Sequence, residues 1–234
     1  GSNTFQKVYY HELGTPQEED ELVFADRAHP RRGFVATTTE DDQYLALSVW
    51  ETTSGNGFYI KELGGTEADD KFKPVVETLE DDFSLVGNFG ARLLVLTNHE
   101  APNQRLIAIT ANQPEQQWWE EILPESDDVL EAVYLIGGKI VAQYLHNAAN
   151  QLKVYDREGQ LLGEVELPGI GTIGSLNGKQ DSPKAFFSFT SFTRPTSIYE
   201  LDVNTLQTRP FKAPEIAFES DQYETREVWV KNPK

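Results

Sequence analysis

The chain has 234 residues, of which 38 are acidic and 20 are basic, so its formal net charge is −18. Such a charge repels phosphate backbones and anionic headgroups, and neither nucleic acid nor a membrane is an expected partner. No run approaches the roughly 18 consecutive apolar residues that a membrane helix needs. The first residues, Gly1 to Asn3, lack the charged and apolar regions of a signal peptide.

Two residue types are missing altogether, cysteine and methionine. The lack of cysteine removes disulfides and thiolate chemistry, but both reducing and oxidising compartments tolerate it. We expect the cytoplasm, with the periplasm as the alternative. The lack of methionine favours the interpretation that the chain is a fragment excised from within a longer protein.

Four pairs of alternating strands recur along the chain, each pair joined by a polar turn. When Tyr44, Leu93, Ile140 and Ala185 are taken as equivalent positions, the repeats are spaced by 49, 47 and 45 residues. This spacing is typical of a propeller blade. The predicted pairs are 44–50 with 58–63, 93–97 with 105–109, 140–145 with 151–155, and 185–189 with 197–201.

Each pair is flanked by a shorter strand before it and an irregular one after it, which gives the four antiparallel strands of a blade. The sequence therefore predicts an all-β fold, a β-propeller segment of about four and a half four-stranded blades. The first strands are predicted at 33–37, 83–86, 130–135 and 173–176, and the fourth strands at 73–77, 118–122, 163–167 and 207–211.

The predicted organisation is one partial propeller domain over residues 1–234. Residues 5–13 and 21–24 are predicted to be the last two strands of a preceding blade, and 226–230 a strand that leaves the array. The predicted segments are the end of a blade at 1–28, blades at 29–79, 80–126, 127–169 and 170–215, and a lead-out segment at 216–234.

Several stretches resemble the prolyl oligopeptidase family, in family order. They are VYYHELGTPQ at 8–17 followed by Glu19 and Asp20, YLHN at 144–147 with LKVYD at 152–156, FSFTSFT at 187–193, and YETREVW at 223–229. The resemblance implies part of a seven-bladed propeller that caps a serine peptidase acting on short peptides after proline. It also implies that the Ser, Asp and His of the triad belong to a following α/β-hydrolase domain, the expected partner, so that this chain alone is inactive and needs no cofactor.

Catalytic and metal-binding patterns are missing from the sequence. A hydrolase elbow needs Gly-x-Ser-x-Gly, and the nearest imitation, Gly174-Ser-Leu-Asn-Gly178, has its first glycine adjacent to the serine. The four histidines lie far apart and form no spaced ligand set. We expect a hydrogen-bonded structural role for His11. His99 and His146 are expected in solvated turns, with a shared surface as the alternative, and no role is assigned to His29. The paired carboxylates are expected to lie in solvated turns and at strand ends rather than to bind calcium.

The loop after the strand at 44–50 provides the substrate-facing candidates. In the family a loop here approaches the substrate, and in this sequence it reads ETTSGNG at 51–57, without the family's Arg and Asp-Pro. Trp50 and Thr53 are the candidates that the resemblance implies. Another predicted blade carries four aromatic residues, which are expected first to pack between blades and second to form a ligand surface: Phe186, Phe187, Phe189 and Phe192.

Two alternatives concern function and association. A free-standing propeller scaffold for protein partners would also lack catalytic motifs, and a peptidase of the oligopeptidase B or acyl-peptide type would share the fold, although the YYHELGT stretch speaks against it. A partial propeller leaves apolar blade faces uncovered. We therefore expect self-association through those faces or an open, aggregation-prone arc.

Overall fold

The fold consists almost entirely of β-strands. The computed structural model describes residues 4–65, 71–215, 223, 225, 226, 228 and 230. Outside the strands it contains two short 3-10 turns, Gln17–Glu19 and Gln116–Trp118. Within those described ranges no helix is long and apolar enough to cross a membrane. The all-β prediction is confirmed.

The chain divides into two compact units, Gly1–Pro124 and Glu125–Lys234. The first unit contains a two-stranded sheet and two four-stranded sheets, in each of which sequential strands pair antiparallel. Its strands are β1 (Lys7–Tyr10), β2 (Glu21–Ala25), β3 (Gly33–Thr38), β4 (Tyr44–Trp50), β5 (Gly57–Glu62), β6 (Lys73–Val76), β7 (Phe83–Phe89), β8 (Arg92–Thr97), β9 (Arg105–Thr110) and β10 (Glu120–Leu123).

The second unit contains two further four-stranded antiparallel sheets, again with sequential neighbours. The tight turn between its first two strands is made by Gly137 and Gly138, which have φ values of 58° and 69°. Its strands are β11 (Val129–Ile136), β12 (Lys139–His146), β13 (Ala149–Tyr155), β14 (Leu161–Val165), β15 (Thr172–Gly178), β16 (Lys184–Thr190), β17 (Ser197–Asp202) and β18 (Gln207–Lys212).

The predicted strands of the four repeats lie within two residues of the observed bounds, except that β7 runs to Phe89 where a strand at 83–86 was predicted. The strand predicted at 118–122 begins only at Glu120, because the backbone N–H groups of Trp118 and Trp119 close a 3-10 turn onto Glu115 and Gln116. The fourth strand of the next repeat ends at Val165 rather than residue 167. The lead-out segment at 216–234 lies largely outside the described residues. Of the strand predicted at 226–230, residues 226, 228 and 230 are described, and none of them is part of a strand.

The turn between the strands predicted at 140–145 and 151–155, and the strand predicted at 5–13, are both shorter in the structure than predicted. Only Asn147 and Ala148, with φ values of 48° and 65°, form the turn, and β13 resumes at Ala149. This geometry suits a two-residue hairpin, whose central residues need positive φ. In the first strand, pairing stops after Tyr10.

The core of each unit is a layer of apolar side chains between two four-stranded sheets. In the first unit Phe58 and Ile60 of one sheet meet Leu93 and Ile109 of the next. In the second unit the same kind of cluster includes Val154, Phe187, Phe189, Tyr199 and Leu201. Both faces of β8 and β12 are largely buried, which is why these two strands read as nearly continuous apolar runs.

The prediction that four neighbouring phenylalanines pack between blades was half wrong. Phe187 and Phe189 are 1 % exposed, but Phe186 is 37 % and Phe192 is 99 % exposed. Successive strand residues point to opposite faces, so Phe186 lies on the other side of its sheet from Phe187. Phe192 follows β16 in the turn to the next strand and contributes nothing to the core.

An asparagine links consecutive sheets in the same way in both units. The Asn56 side chain accepts from the Phe83 N–H (2.8 Å) and donates to the Phe83 carbonyl (3.0 Å). The Asn150 side chain accepts from the Ile173 N–H (2.7 Å). Each asparagine stands at the beginning of a third strand and reaches the first strand of the following sheet. The side chain therefore replaces a missing backbone hydrogen bond partner at the seam between two sheets.

Candidate functional site

Trp50 ends strand β4 beside the first residue of strand β3. Gly33 is its register partner, and a Cβ at Gly33 would collide with the indole ring of Trp50. The ring therefore lies directly against the glycine backbone. Trp50 remains 39 % exposed, so the indole is supported from within its own sheet and is still accessible to solvent.

The loop after Trp50 is held by hydrogen bonds on both sides. The Thr52 hydroxyl donates to the Ser54 carbonyl (2.8 Å), and the Gly55 N–H donates to a carboxylate oxygen of Asp82 (2.9 Å). Gly55 has a φ of 73°, and a Cβ there would collide with the Leu79 carbonyl. Only glycine fits this turn without strain. The loop that carries Thr53 is thus tied to the following sheet.

Trp50 and Thr53 line one cleft of about 370 Å³. The structure thus brings the two substrate-facing candidates together, although it does not test their role. The remaining lining consists mainly of small hydroxyl side chains, one exposed carboxylate and apolar groups; among them are Val35, Ser48, Asp82 and Ser84. No sequence pattern points to these four residues, and Asp82 and Ser84 belong to the next repeat, so that they reach the cleft only through the packing of two sheets.

The basic residues next to the cleft are paired with carboxylates. Arg31 contacts Glu51 (3.0 Å), and Arg32 contacts Asp26 (3.4 Å) and Glu51 (3.9 Å). Burial raises the pKa of Asp26, but hydrogen bonds from the His29 side chain and from nearby backbone N–H groups outweigh it and lower the pKa below its ordinary value. Asp26 is therefore ionised at neutral pH, and the two arginines are neutralised locally.

Each of the chain's four histidines bonds an aspartate through Nδ1. Two of these pairs recur at matching places: His99 with Asp81 and His146 with Asp128, both at 2.7 Å and both 18 residues apart in sequence. Each ties the end of a second strand to the residues just before the first strand of the same sheet. The hydrogen-bonded role expected for His11 is confirmed, whereas His99 and His146, expected in solvated turns, are half-buried and each bonded to an aspartate. The other two pairs are His11 with Asp20 and His29 with Asp26.

The serine of the elbow-like stretch is placed for structure and not for nucleophilic attack. Ser175 lies within β15, and its hydroxyl meets that of Ser188 at 3.1 Å. A nucleophile elbow instead requires a sharp turn from a strand into a helix. Among the described residues no group of three His, Cys, Asp or Glu side chains is arranged to hold a metal ion.

A buried carboxylate in the last sheet, Glu200, is paired with two basic side chains. Glu200 accepts two hydrogen bonds from Arg209 (2.8 and 2.9 Å), and Lys184 lies 3.4 Å away. The hydrogen bond from Arg209, with that of Lys184, holds the pKa of Glu200 below its ordinary value against the opposing effect of burial. This pair joins neighbouring strands of one sheet and is structural.

The repeated four-stranded sheets define the class of this protein as a β-propeller module. The model of the prolyl oligopeptidase N-terminal β-propeller domain matches residues 1–214. The chain belongs to the prolyl oligopeptidase family and is part of its propeller domain.

Relatives and solved structures agree with this assignment. The chain is 32 % identical to a prolyl endopeptidase of Elizabethkingia miricola over 229 residues, which are 98 % of this chain and 32 % of that protein. It is 26 % identical to prolyl oligopeptidase A of Amanita bisporigera, over 95 % of this chain and 30 % of that protein. The apo structure of prolyl oligopeptidase B from Galerina marginata matches with a TM-score of 0.88 at 26 % identity, covering 97 % of this chain and 33 % of that one. The chain thus spans about a third of the length of these relatives.

Proposed function

We propose that this chain is the gating portion of a serine peptidase that cleaves short peptides after proline. The observation that carries the proposal is the match of residues 1–214 to the family's propeller domain, together with relatives named prolyl endopeptidase and prolyl oligopeptidase. The proposed role is to restrict entry to small peptides and to complete the site when joined to the α/β-hydrolase domain. No observation favours a free-standing scaffold over this role.

The chain by itself is proposed to be inactive. Nucleophilic catalysis on an ester or amide needs a serine, a base and an orienting acid in mutual contact. In the described residues each histidine is engaged by an aspartate near it in sequence, and the elbow-like serine faces another serine. These contacts support a module that binds and excludes rather than one that reacts.

Trp50 and Thr53 are proposed to contact the substrate. Both line the 370 Å³ cleft, and Trp50 offers an accessible indole on a rigid support. A solved structure of the Galerina marginata relative is bound to a 35mer substrate, and we propose that peptides reach the corresponding loop here. A contact made equally in the ground and transition states changes KM rather than kcat.

The test compares two exposed tryptophans in the whole polypeptide that the gene encodes. Trp50→Ala should raise the KM for a proline-containing peptide several-fold with kcat nearly unchanged. Trp118→Ala removes a similarly exposed indole (52 % exposed) from a 3-10 turn away from the cleft and is the matched control. Equal KM values for both variants and the wild type would remove Trp50 from the substrate path.

The gating role is tested by substrate size. With one Gly-Pro site placed in peptides of increasing length and finally in a folded protein, kcat/KM should stay level for short peptides and collapse for the folded protein. A folded protein cleaved as efficiently as a short peptide would show that the propeller does not filter by size.

Self-association of the isolated chain is also proposed, through one face of the last sheet. Phe186 and Phe211 meet edge-to-face there (ring centroids 4.9 Å apart) and are 37 % and 63 % exposed. The opposite face of the same sheet is buried in the core. A second copy of this chain would cover the aromatic pair. Light scattering should show a concentration-dependent dimer that Phe211→Ser weakens, and a monomer at all concentrations would refute it.

A further inference from the structure

The cleft beside Trp50 combines an aromatic surface with an exposed carboxylate. The indole rests against Gly33, which fixes its orientation without covering it. Asp82 lines the same cleft; one of its carboxylate oxygens accepts from the Gly55 N–H, and the other accepts from the Asn98 side chain at 3.2 Å. Both groups are therefore held in place before any ligand arrives.

The cleft offers no positive charge of its own. None of the described residues that line it is a lysine or an arginine. The two arginines nearest in sequence to Gly33 are paired with Glu51 and Asp26. The carboxylate of Asp82 is bound by neutral donors only among its described hydrogen bonds, so its charge is not neutralised by an ion pair there.

An aromatic face next to a carboxylate is the arrangement that recognises a cationic side chain. Tryptophan gives the strongest cation–π attraction among the aromatic residues, and arginine stacks its planar guanidinium on such a ring while donating to a carboxylate. The net charge of −18 also attracts cationic ligands to the surface. The hydroxyls of Ser48 and Ser84 at the cleft add neutral acceptors for the remaining N–H groups.

We propose that this cleft binds the guanidinium group of an arginine in a peptide, stacked on Trp50 and hydrogen-bonded to Asp82. The proposal rests on the proposed function only in taking the ligand to be a peptide. It assigns a preference for arginine near the proline of the substrate, which neither the family match nor the relatives' names specify.

The test is peptide binding to the 234-residue chain, so peptidase activity does not enter. The indole N–H signals of the ¹⁵N-labelled chain are followed by NMR during titration with N-acetylated Arg-Gly-Pro amide. A second titration uses the same peptide with citrulline in place of arginine. The signal that disappears in Trp50→Phe is assigned to Trp50. Citrulline keeps the shape and loses the charge. We expect the arginine peptide to shift the Trp50 signal and to bind about fivefold more tightly, which is about 1 kcal/mol at 1.4 kcal/mol per tenfold.

Two variants with equal changes of net charge separate the cleft from the general field. Asp82→Asn should reduce the preference for arginine over citrulline to less than about twofold, and Glu115→Gln, an exposed carboxylate by a 3-10 turn, should keep it. Should Asp82→Asn disturb the loop, the comparison of arginine with citrulline on the wild-type chain still decides the proposal.

Two results would overturn the proposal in distinguishable ways. Equal binding of both peptides with an equal shift of the Trp50 signal would refute the arginine preference and would leave the proposed peptide contact standing. An unmoved Trp50 signal with either peptide would refute both the arginine site and the proposed substrate contact of Trp50.

Discussion

Replacing Asn150 by alanine removes the side chain that joins two sheets of the second unit. Asn150 is 6 % exposed; its side chain accepts from the Ile173 N–H (2.7 Å) and donates to Glu131 (2.7 Å). Its backbone N–H donates to the Gly171 carbonyl, and this bond survives the substitution. The variant therefore isolates what the side chain contributes.

The orphaned Ile173 N–H dominates the expected cost. Ile173 is 4 % exposed, and a buried donor left without an acceptor costs roughly 1–3 kcal/mol. Glu131 is exposed, so water can replace the hydrogen bond that its carboxylate accepts from Asn150. The loss of this charge-assisted bond therefore adds only about 1 kcal/mol, which is less than a buried hydrogen bond to a charged group contributes. We expect a total loss of about 3 kcal/mol. For a chain of this size that lowers the melting temperature by roughly 6–12 °C.

Two measurements check this prediction. Thermal unfolding followed by circular dichroism gives the global loss, and hydrogen exchange at the Ile173 amide gives the local one, because that amide should lose its protection first. Asn177→Ala, an exposed asparagine on the neighbouring strand β15, is the control and should stay within about 0.5 kcal/mol of the wild type. Unchanged melting and unchanged Ile173 exchange in Asn150→Ala would refute the role assigned to this asparagine.

Three further predictions concern two substitutions in the first unit and the loss of stability at acidic pH. Asn56→Ala should cost roughly 2–3 kcal/mol and deprotect the Phe83 amide, because both backbone groups of Phe83 lose a partner; a stability change under about 0.5 kcal/mol would contradict it. Gly33→Ala should displace the Trp50 ring, cost about 1–3 kcal/mol and shift the tryptophan emission to longer wavelength; an unshifted spectrum would argue against the contact. Because the folded pKa of Glu200 lies below its ordinary value near 4.5, its stabilisation is present above that value and is lost as pH falls through the folded pKa. The gap in melting temperature between the wild type and Glu200→Gln should therefore narrow from about pH 6 to about pH 3, and a constant gap would be inconsistent with the lowered pKa.

Strand pairs were predictable because their apolar residues alternate and their turns carry glycine or asparagine. The run from Tyr44 to Trp50 has the same bounds in the sequence and in the structure. Two of the fourth strands were predicted two residues away from their observed start, because such strands are partly exposed and carry little periodic signal: in β14 only Val165 is fully buried. The position of Trp118 in a 3-10 turn depends on a local backbone hydrogen bond that leaves no periodic trace.

Only part of the candidate site could be predicted from the sequence. Trp50 and Thr53 followed from a family resemblance, but the contact of Trp50 with Gly33 depends on strand register. Asp82 belongs to the next repeat and joins the cleft because its carboxylate bonds the Gly55 N–H across 27 residues. Spacing alone cannot reveal such a pairing, since it arises from the packing of two sheets.

The most direct test of the central claim is hydrolysis of a fluorogenic Gly-Pro amide by this chain and by the whole polypeptide that its gene encodes. We expect no turnover by the 234-residue chain, and we expect turnover by the whole polypeptide that a serine-directed phosphonate abolishes. Phosphonate-sensitive turnover by the chain alone, or a whole polypeptide that leaves the amide intact, would contradict the proposed function.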